Sequence, residues 1–131
     1  MLGKPALLCV CLALLTGCGS GNSSDANVER DIRRGLAEIQ SIHDRKALQA
    51  KLTAVVASLR GDQASSDSTR RARGLAIAGF EAKLNSVRAE REFYENDSGQ
   101  VAEATRDAAR ADAYRARAED LLRASEQALG D

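Results

Sequence analysis

The chain has 131 residues with 19 basic and 19 acidic side chains, so its formal net charge at pH 7 is zero. A neutral chain of mixed signs lacks the basic surface that binds nucleic acid or anionic lipid, so we expect no nucleic-acid partner. Aromatic residues make up only 3 % of the chain, and its single proline is Pro5. A chain that is rich in alanine, arginine, glutamate and leucine, with no later proline, is typical of long helices.

An apolar segment opens the chain. Residues 5–15 follow Lys4, the only early positive charge, and the segment closes with Leu15-Thr16-Gly17-Cys18. It has the length of a signal-peptide core and is shorter than the roughly 20 residues that a membrane-spanning helix needs. A short apolar run that ends in leucine, a small residue, glycine and cysteine resembles the lipobox of bacterial lipoprotein signal peptides. An ordinary secretory signal peptide and a short membrane helix are the other interpretations.

The resemblance implies a processing route and does not define a functional family. In that class residues 1–17 are the signal peptide that is removed, and Cys18 is lipidated and becomes the first mature residue. Cys9 and Cys11 would be lost with the signal, so no free thiol would remain for a disulfide, a metal or nucleophilic catalysis. We expect attachment to a membrane of the cell envelope through the lipid on Cys18. The host decides between the outer leaflet of the plasma membrane and the outer membrane.

Helical periodicity begins after a polar segment. Residues 18–26 are mainly glycine, serine and asparagine and predict a flexible tether, followed by one helical domain over residues 27–131. Two apolar stripes point about 155° apart at 100° per residue. The first stripe consists of Val28, Ile32, Leu36, Ile39 and Ile42, and the second consists of Leu48, Leu52, Val55, Val56 and Leu59. We favour a break near residues 41–46, where Ser41 and Asp44 resemble a capping box; a continuous helix with partners on both sides is the alternative.

A third helix follows the polar loop at residues 61–67 and runs to about Glu95. Asp67 or Ser68 is its expected N-cap. Gly74 and Gly79 cost about 1 kcal/mol each in a helix interior, which is tolerable where a neighbouring helix packs closely against them. The predicted buried face consists of Ala76, Ile77, Phe80, Leu84, Val87 and Tyr94.

A fourth helix follows the turn at residues 96–99 and runs to about Leu129, before Gly130. Asp97 or Ser98 is its expected N-cap, and Arg115–Glu119 and Glu119–Arg123 are expected ion pairs on its outer side. Its predicted inner face is mostly alanine: Ala104, Ala108, Ala111, Tyr114, Ala118, Leu121, Leu122 and Leu129.

These elements predict an all-α fold, an elongated up-down helical bundle of three to four helices with a long C-terminal helical hairpin. Because an alanine seam buries little area per residue, we expect a marginally stable monomer. That expectation favours a homo-oligomer or an envelope protein as partner.

Few residues suggest a site. His43 next to Asp44 predicts an exposed residue at a helix junction, because one histidine without a cysteine cannot form a typical zinc site. Arg70, Arg71 and Arg73 are either the first turn of a surface helix or a contact for lipid phosphate or an acidic partner. Phe93 and Tyr94 either pack against the opposite helix or form a partner-facing patch.

The sequence therefore predicts no catalytic, cofactor-binding or metal-binding residue, and no cofactor. Carboxylates such as those of Glu90, Asp107 and Glu119 alternate with arginine and are typical of a solvated face. We expect a small, membrane-anchored, non-enzymatic lipoprotein whose helix faces mediate protein interaction or self-assembly. The alternative is a helical bundle that binds a small molecule or lipid, although the alanine seam leaves little room for one.

Overall fold

The computed structural model describes residues 20–95 and 101–130. These form four α-helices, α1 (Ser20–Ser41), α2 (Arg45–Gly61), α3 (Asp67–Glu95) and α4 (Val101–Gly130), and the described ranges contain no strand. The predicted all-α bundle is confirmed.

Each helix runs antiparallel to the one before it. Lys51 of α2 pairs with Glu38 of α1, while the other end of α2 lies against the start of α3 through Arg73. The pairing of Arg110 with Glu92 likewise reflects the antiparallel packing of α4 on α3. We call the end with the start of α1 and the connection at residues 62–66 the base. The tip is the opposite end, with residues 42–44 and the end of α3.

Phe80 is the centre of the core and is fully buried. Around it α1, α2 and α3 contribute larger aliphatic side chains, whereas α3 and α4, the most extensively packed helix pair, meet largely through small residues. The buried aliphatic residues of the first region are Val28, Ile32, Leu52, Val55, Val56, Leu59, Leu84 and Val87. The small buried residues of the α3–α4 region are Gly79, Ala82, Ala89, Ala111, Ala118 and Ala128.

Two glycines allow close helix approach. A Cβ atom on Gly79 would lie 2.8 Å from Cγ and Cδ2 of Leu122, so α3 and α4 need glycine there. Gly35 has the same role between α1 and its neighbours, since its Cβ would lie 2.9 Å from Cγ1 of Val55 and 3.0 Å from Cζ of Phe80. Gly74 meets nothing within 4 Å, so the close packing that would make a glycine tolerable is present at Gly79 and absent at Gly74.

The predicted break between the first two helices is confirmed. Asp44 adopts extended backbone geometry and is the N-cap of α2, its carboxylate accepting a hydrogen bond from the Ala47 N–H at 2.7 Å. Ser41 is not the cap that the sequence predicts. It ends α1, where its hydroxyl donates to the Glu38 carbonyl at 2.8 Å.

The flexible tether predicted over residues 18–26 is wrong from Ser20 onward, where α1 has already begun. The physical reason is tertiary: the Asp25 carboxylate accepts hydrogen bonds from the backbone N–H groups of Ser65 and Ser66, at 2.6 and 3.2 Å. These contacts fix the first turns of α1 to the base. The lipobox and Cys18 lie outside the described residues.

Two smaller predictions also need correction, and a third concerns residues outside the described ranges. Ser66, one residue earlier than expected, caps α3 by accepting from the Thr69 N–H at 3.2 Å. The predicted cap of α4 lies outside the described residues. On α4 the ion pairs have i,i+3 spacing, because Arg115 pairs with Asp112 and Arg123 with Asp120 instead of either with Glu119.

Candidate functional site

The tip carries the exposed apolar surface. Among the described residues, the large hydrophobic side chains that stand exposed are Tyr94 at 63 % and Val101 at 79 %. They lie at the end of α3 and the start of α4. The prediction that Tyr94 belongs to the buried face of α3 is wrong, because α1 and α2 turn back at residues 42–44 and leave the last turn of α3 without an apolar cover.

Tyr94 is nevertheless held in place. Its ring makes an edge-to-face contact with Phe93, with centroids 5.0 Å apart and planes at 81°. The Arg45 guanidinium lies 4.3 Å from the centroid of the same ring, a cation–π distance. We call Arg45, Phe93 and Tyr94 the tip surface. Phe93 is half-buried, which fits the prediction of packing against the bundle. Tyr94 is exposed, which fits the alternative of a partner-facing patch.

Two clefts flank the tip surface, and Arg45 and Tyr94 line both. The larger, of about 960 Å³, lies between α2 and α3 and also includes Lys46, Gln49 and Arg91 among its walls. The smaller, of about 330 Å³, lies towards α4. The aromatic ring of Tyr94 thus forms a ridge between two depressions.

The charges around this ridge neutralise one another. Glu90 binds Arg115 and lies 3.6 Å from Nε of Arg45, and the hydrogen bond from Arg115 to Glu90 raises the pKa of Arg115 further above its ordinary range. In the larger cleft Arg91 pairs with Glu95 at 3.3 Å. Paired surface charges of this kind fix side-chain geometry and contribute little net stability.

The basic cluster does not act as a unit. Arg73 turns inward, with Nε donating to the Leu59 carbonyl at 2.6 Å and Nη2 to the Arg60 carbonyl at 3.1 Å. It therefore caps the C-terminal end of α2, where a positive charge is favourable. Arg70 pairs with Asp67 and donates to a loop carbonyl. Arg70 and Arg71 are both exposed, and of the three arginines only Arg71 has neither an ion pair nor a side-chain hydrogen bond with another described residue.

A buried polar cluster at the base is the feature that the sequence did not predict. Asp31 is only 7 % exposed, and its Oδ2 accepts a hydrogen bond from the Ser58 hydroxyl at 2.7 Å. This bond, aided by Arg30 and Arg34, lowers the pKa of Asp31. One signal was available: Asp31 lies three residues after Val28, on the apolar side of α1.

Asp62 completes that cluster. Burial, and then the charge of Asp31, raise the pKa of Asp62. Its Oδ2 is buried and has no hydrogen-bond partner among the described residues. Asp31 and Asp62 therefore belong to the same polar cluster but have pKa values that shift in opposite directions.

A groove runs between α1 and α4 along one side of the bundle. It has a volume of about 470 Å³, and its apolar lining comes from Leu36, Ile39, Ala118 and Leu122. Lys83, Glu119, Arg123 and other polar side chains form its rim. This groove is larger than the depression of about 180 Å³ between α3 and α4, which Ala78, Ala82 and Tyr114 line.

No group of three or more histidine, cysteine or acidic side chains in the described ranges is arranged to hold a metal ion. His43 is exposed in the connection between α1 and α2, as predicted. Within residues 20–95 and 101–130, no helix combines the length and the apolar character that crossing a membrane requires. Comparison with known proteins found no matching family model, no matching curated protein and no matching solved structure.

Proposed function

We propose that the chain is a small, membrane-anchored, non-enzymatic lipoprotein of the bacterial cell envelope that acts through protein contacts at its tip surface. The exposed Tyr94 ridge carries the proposal, because large exposed aromatic side chains are common anchors of protein interfaces. Its position supports the same view. Ser20 begins α1 at the base, two residues after Cys18, whereas Tyr94 lies at the other end of α3.

The dimensions fit a role at a distance from the membrane. α3 has 29 residues, which correspond to about 44 Å at 1.5 Å per residue. A protein anchored by lipid at Cys18 would thus present the tip surface roughly that far from the base. The non-enzymatic part of the proposal rests on the sequence, which predicts no catalytic residue. Most charged groups at the tip are also paired with one another.

The anchor is tested by metabolic labelling of the full chain with an alkyne fatty acid in a bacterial host. We expect wild-type protein to incorporate the label and to fractionate with membranes, and Cys18→Ser to lose both. Cys11→Ser is the matched control and should label like the wild type, since Cys11 lies in the segment that would be removed. Persistent labelling of Cys18→Ser would refute lipidation at this position.

The tip contact is tested by placing a photo-crosslinking amino acid at position 94 in intact cells. We expect an adduct of defined mass there, either with a second copy of the chain or with one envelope protein. The matched control is the same amino acid at Arg117, which is exposed on the outer side of α4. No adduct at position 94, or equal adducts at both positions, would contradict a specific contact.

A second candidate function is the binding of a lipid or small apolar molecule in the α1–α4 groove, supported by the exposed edges of Leu36, Ile39 and Leu122. Ligand that binds only the folded state raises the melting temperature. A reproducible rise in a panel of lipids and metabolites that Leu36→Glu abolishes would favour this function over protein contact.

A further inference from the structure

The polar cluster at the base links α1 to the connection between α2 and α3. Ser58 contacts both acidic residues of the cluster: its hydroxyl donates to the Asp31 carboxylate of α1 at 2.7 Å. Its carbonyl accepts from the backbone N–H of Asp62 at 3.1 Å. The two side chains are thus brought to the same place by one residue of α2, and both are partly or fully withdrawn from water.

The cations near Asp62 have other partners. From α1, Arg30 lies 3.3 Å from Asp31 and Arg34 lies 3.7 Å from it. From α3, Arg73 donates to two carbonyls at the end of α2. From α2, Arg60 pairs with Glu81. No described cation therefore forms an ion pair with Asp62.

We propose that Asp62 is a proton-dependent latch for α1, which holds α1 more firmly when its carboxyl group carries a proton and less firmly when it is ionised. A buried anion without a hydrogen-bond donor is unfavourable, and a second carboxylate beside it adds repulsion. Protonation removes the repulsion and supplies an O–H that can donate to a neighbouring acceptor. The inference does not depend on the proposed function.

The latch acts on α1 because Asp31 belongs to that helix, whereas Ser58 and Asp62 belong to α2 and the connection. Besides apolar packing, α1 is attached by polar contacts at three levels, through Asp25, Asp31 and the Glu38–Lys51 pair. Movement of α1 away from α2 is the local change that separates the two carboxylates and exposes the buried Oδ2 of Asp62 to water.

The raised pKa of Asp62 determines whether a rise in pH strengthens or weakens the attachment of α1. An acid whose pKa is higher in the folded state stabilises the fold when protonated, so this contribution is lost as the pH rises through that pKa. Asp31, whose pKa is lowered, has the opposite effect and loses its contribution only in stronger acid. The attachment of α1 is therefore firmest in mild acid, between the two titrations.

The test is hydrogen–deuterium exchange of the full chain in a mild nonionic detergent, read by mass spectrometry and corrected for intrinsic exchange rates. At neutral pH we expect Asp62→Asn, a neutral side chain of the same shape, to slow the exchange of residues 27–41 about three- to tenfold. As the pH falls through the raised pKa of Asp62, the difference from wild type should shrink. The matched control is Asp120→Asn on the outer side of α4, which should change nothing in α1.

Two outcomes would overturn the latch. One is unchanged or faster exchange of α1 in a folded Asp62→Asn variant, and the other is equal slowing in the α3 and α4 peptides, which would indicate a general gain in stability. A ¹³C titration of the wild-type carboxyl groups gives an independent reading. We expect Asp62 to titrate at a higher pH than Asp31 and above the ordinary aspartate pKa of 3.8. A midpoint for Asp62 at or below that ordinary value would refute the inference.

Discussion

Two glycines of α3 make a matched pair for a test of helix packing. Gly74 and Gly79 lie five residues apart in the same helix, but only Gly79 has a neighbour where its Cβ would be. Alanine in a helix interior is about 1 kcal/mol more favourable than glycine. At Gly74 nothing opposes that gain, so Gly74→Ala should stabilise the protein by about 1 kcal/mol.

At Gly79 the same gain is opposed by overlap. The new Cβ would lie 2.8 Å from Cγ and Cδ2 of Leu122 and 3.2 Å from its backbone N. Leu122 can rotate its side chain but cannot move its backbone without α4. Such overpacking costs about 1–3 kcal/mol, so Gly79→Ala should be less stable than Gly74→Ala by that amount.

The assay is thermal unfolding of the full chain in detergent, followed by far-ultraviolet circular dichroism. For a domain of about 100 residues, 1 kcal/mol corresponds to about 5 °C in Tm. We therefore expect the Tm values of the two variants to differ by about 5–15 °C. In a Leu122→Ala background most of the cost of Gly79→Ala should disappear, since Cγ and Cδ2 are gone and only the backbone N at 3.2 Å remains close. Equal stabilisation by both alanines would refute the close approach of α3 and α4.

Other predictions concern caps and the base. Asp44→Ala should lower the free energy of unfolding by about 0.5–2 kcal/mol in chemical denaturation through loss of the α2 N-cap, and an effect no larger than that of Ser41→Ala would contradict the assignment. Arg73→Met should destabilise by about 1–3 kcal/mol, because two carbonyls lose a charged donor, whereas Arg71→Met should be neutral; equal effects would argue against the cap. Ser58→Ala should cost about 1–2 kcal/mol at neutral pH. Its deficit should shrink as the pH falls through the lowered pKa of the Asp31 carboxyl, because the bond then loses its charged acceptor. A deficit that stays unchanged in strong acid would be inconsistent.

Periodicity predicted the helices because burial of one face is a local property of the sequence. The stripe from Val28 to Ile42 and the stripe from Leu48 to Leu59 point in different directions, which favoured the break that Asp44 caps. The antiparallel order followed from short connections. These features depend on residues a few positions apart, which is the range over which helical spacing carries information.

The missed features depend on contacts between distant segments. Asp31 can be buried because the hydroxyl of Ser58, 27 residues later, donates a hydrogen bond to it. The sequence around Asp31 does not predict that partner. Residues 20–26 are helical because Asp25 binds the connection 40 residues away. The role of Arg73 required knowledge of where α2 ends. Tyr94 fits the apolar periodicity of α3, but its exposure depends on where the neighbouring helices stop.

The succession of helices has a consequence for how the chain folds. α2 packs on α1, α3 on α2 and α4 on α3, with only a smaller contact between α1 and α3. Most native contacts therefore close short stretches of chain, which gives the low contact order of helical bundles that fold within microseconds to milliseconds. We expect the α3–α4 hairpin to form first, because it has the largest packing surface and its helices are neighbours in the chain. α1, whose contacts reach forward to residues 51–66, should join last.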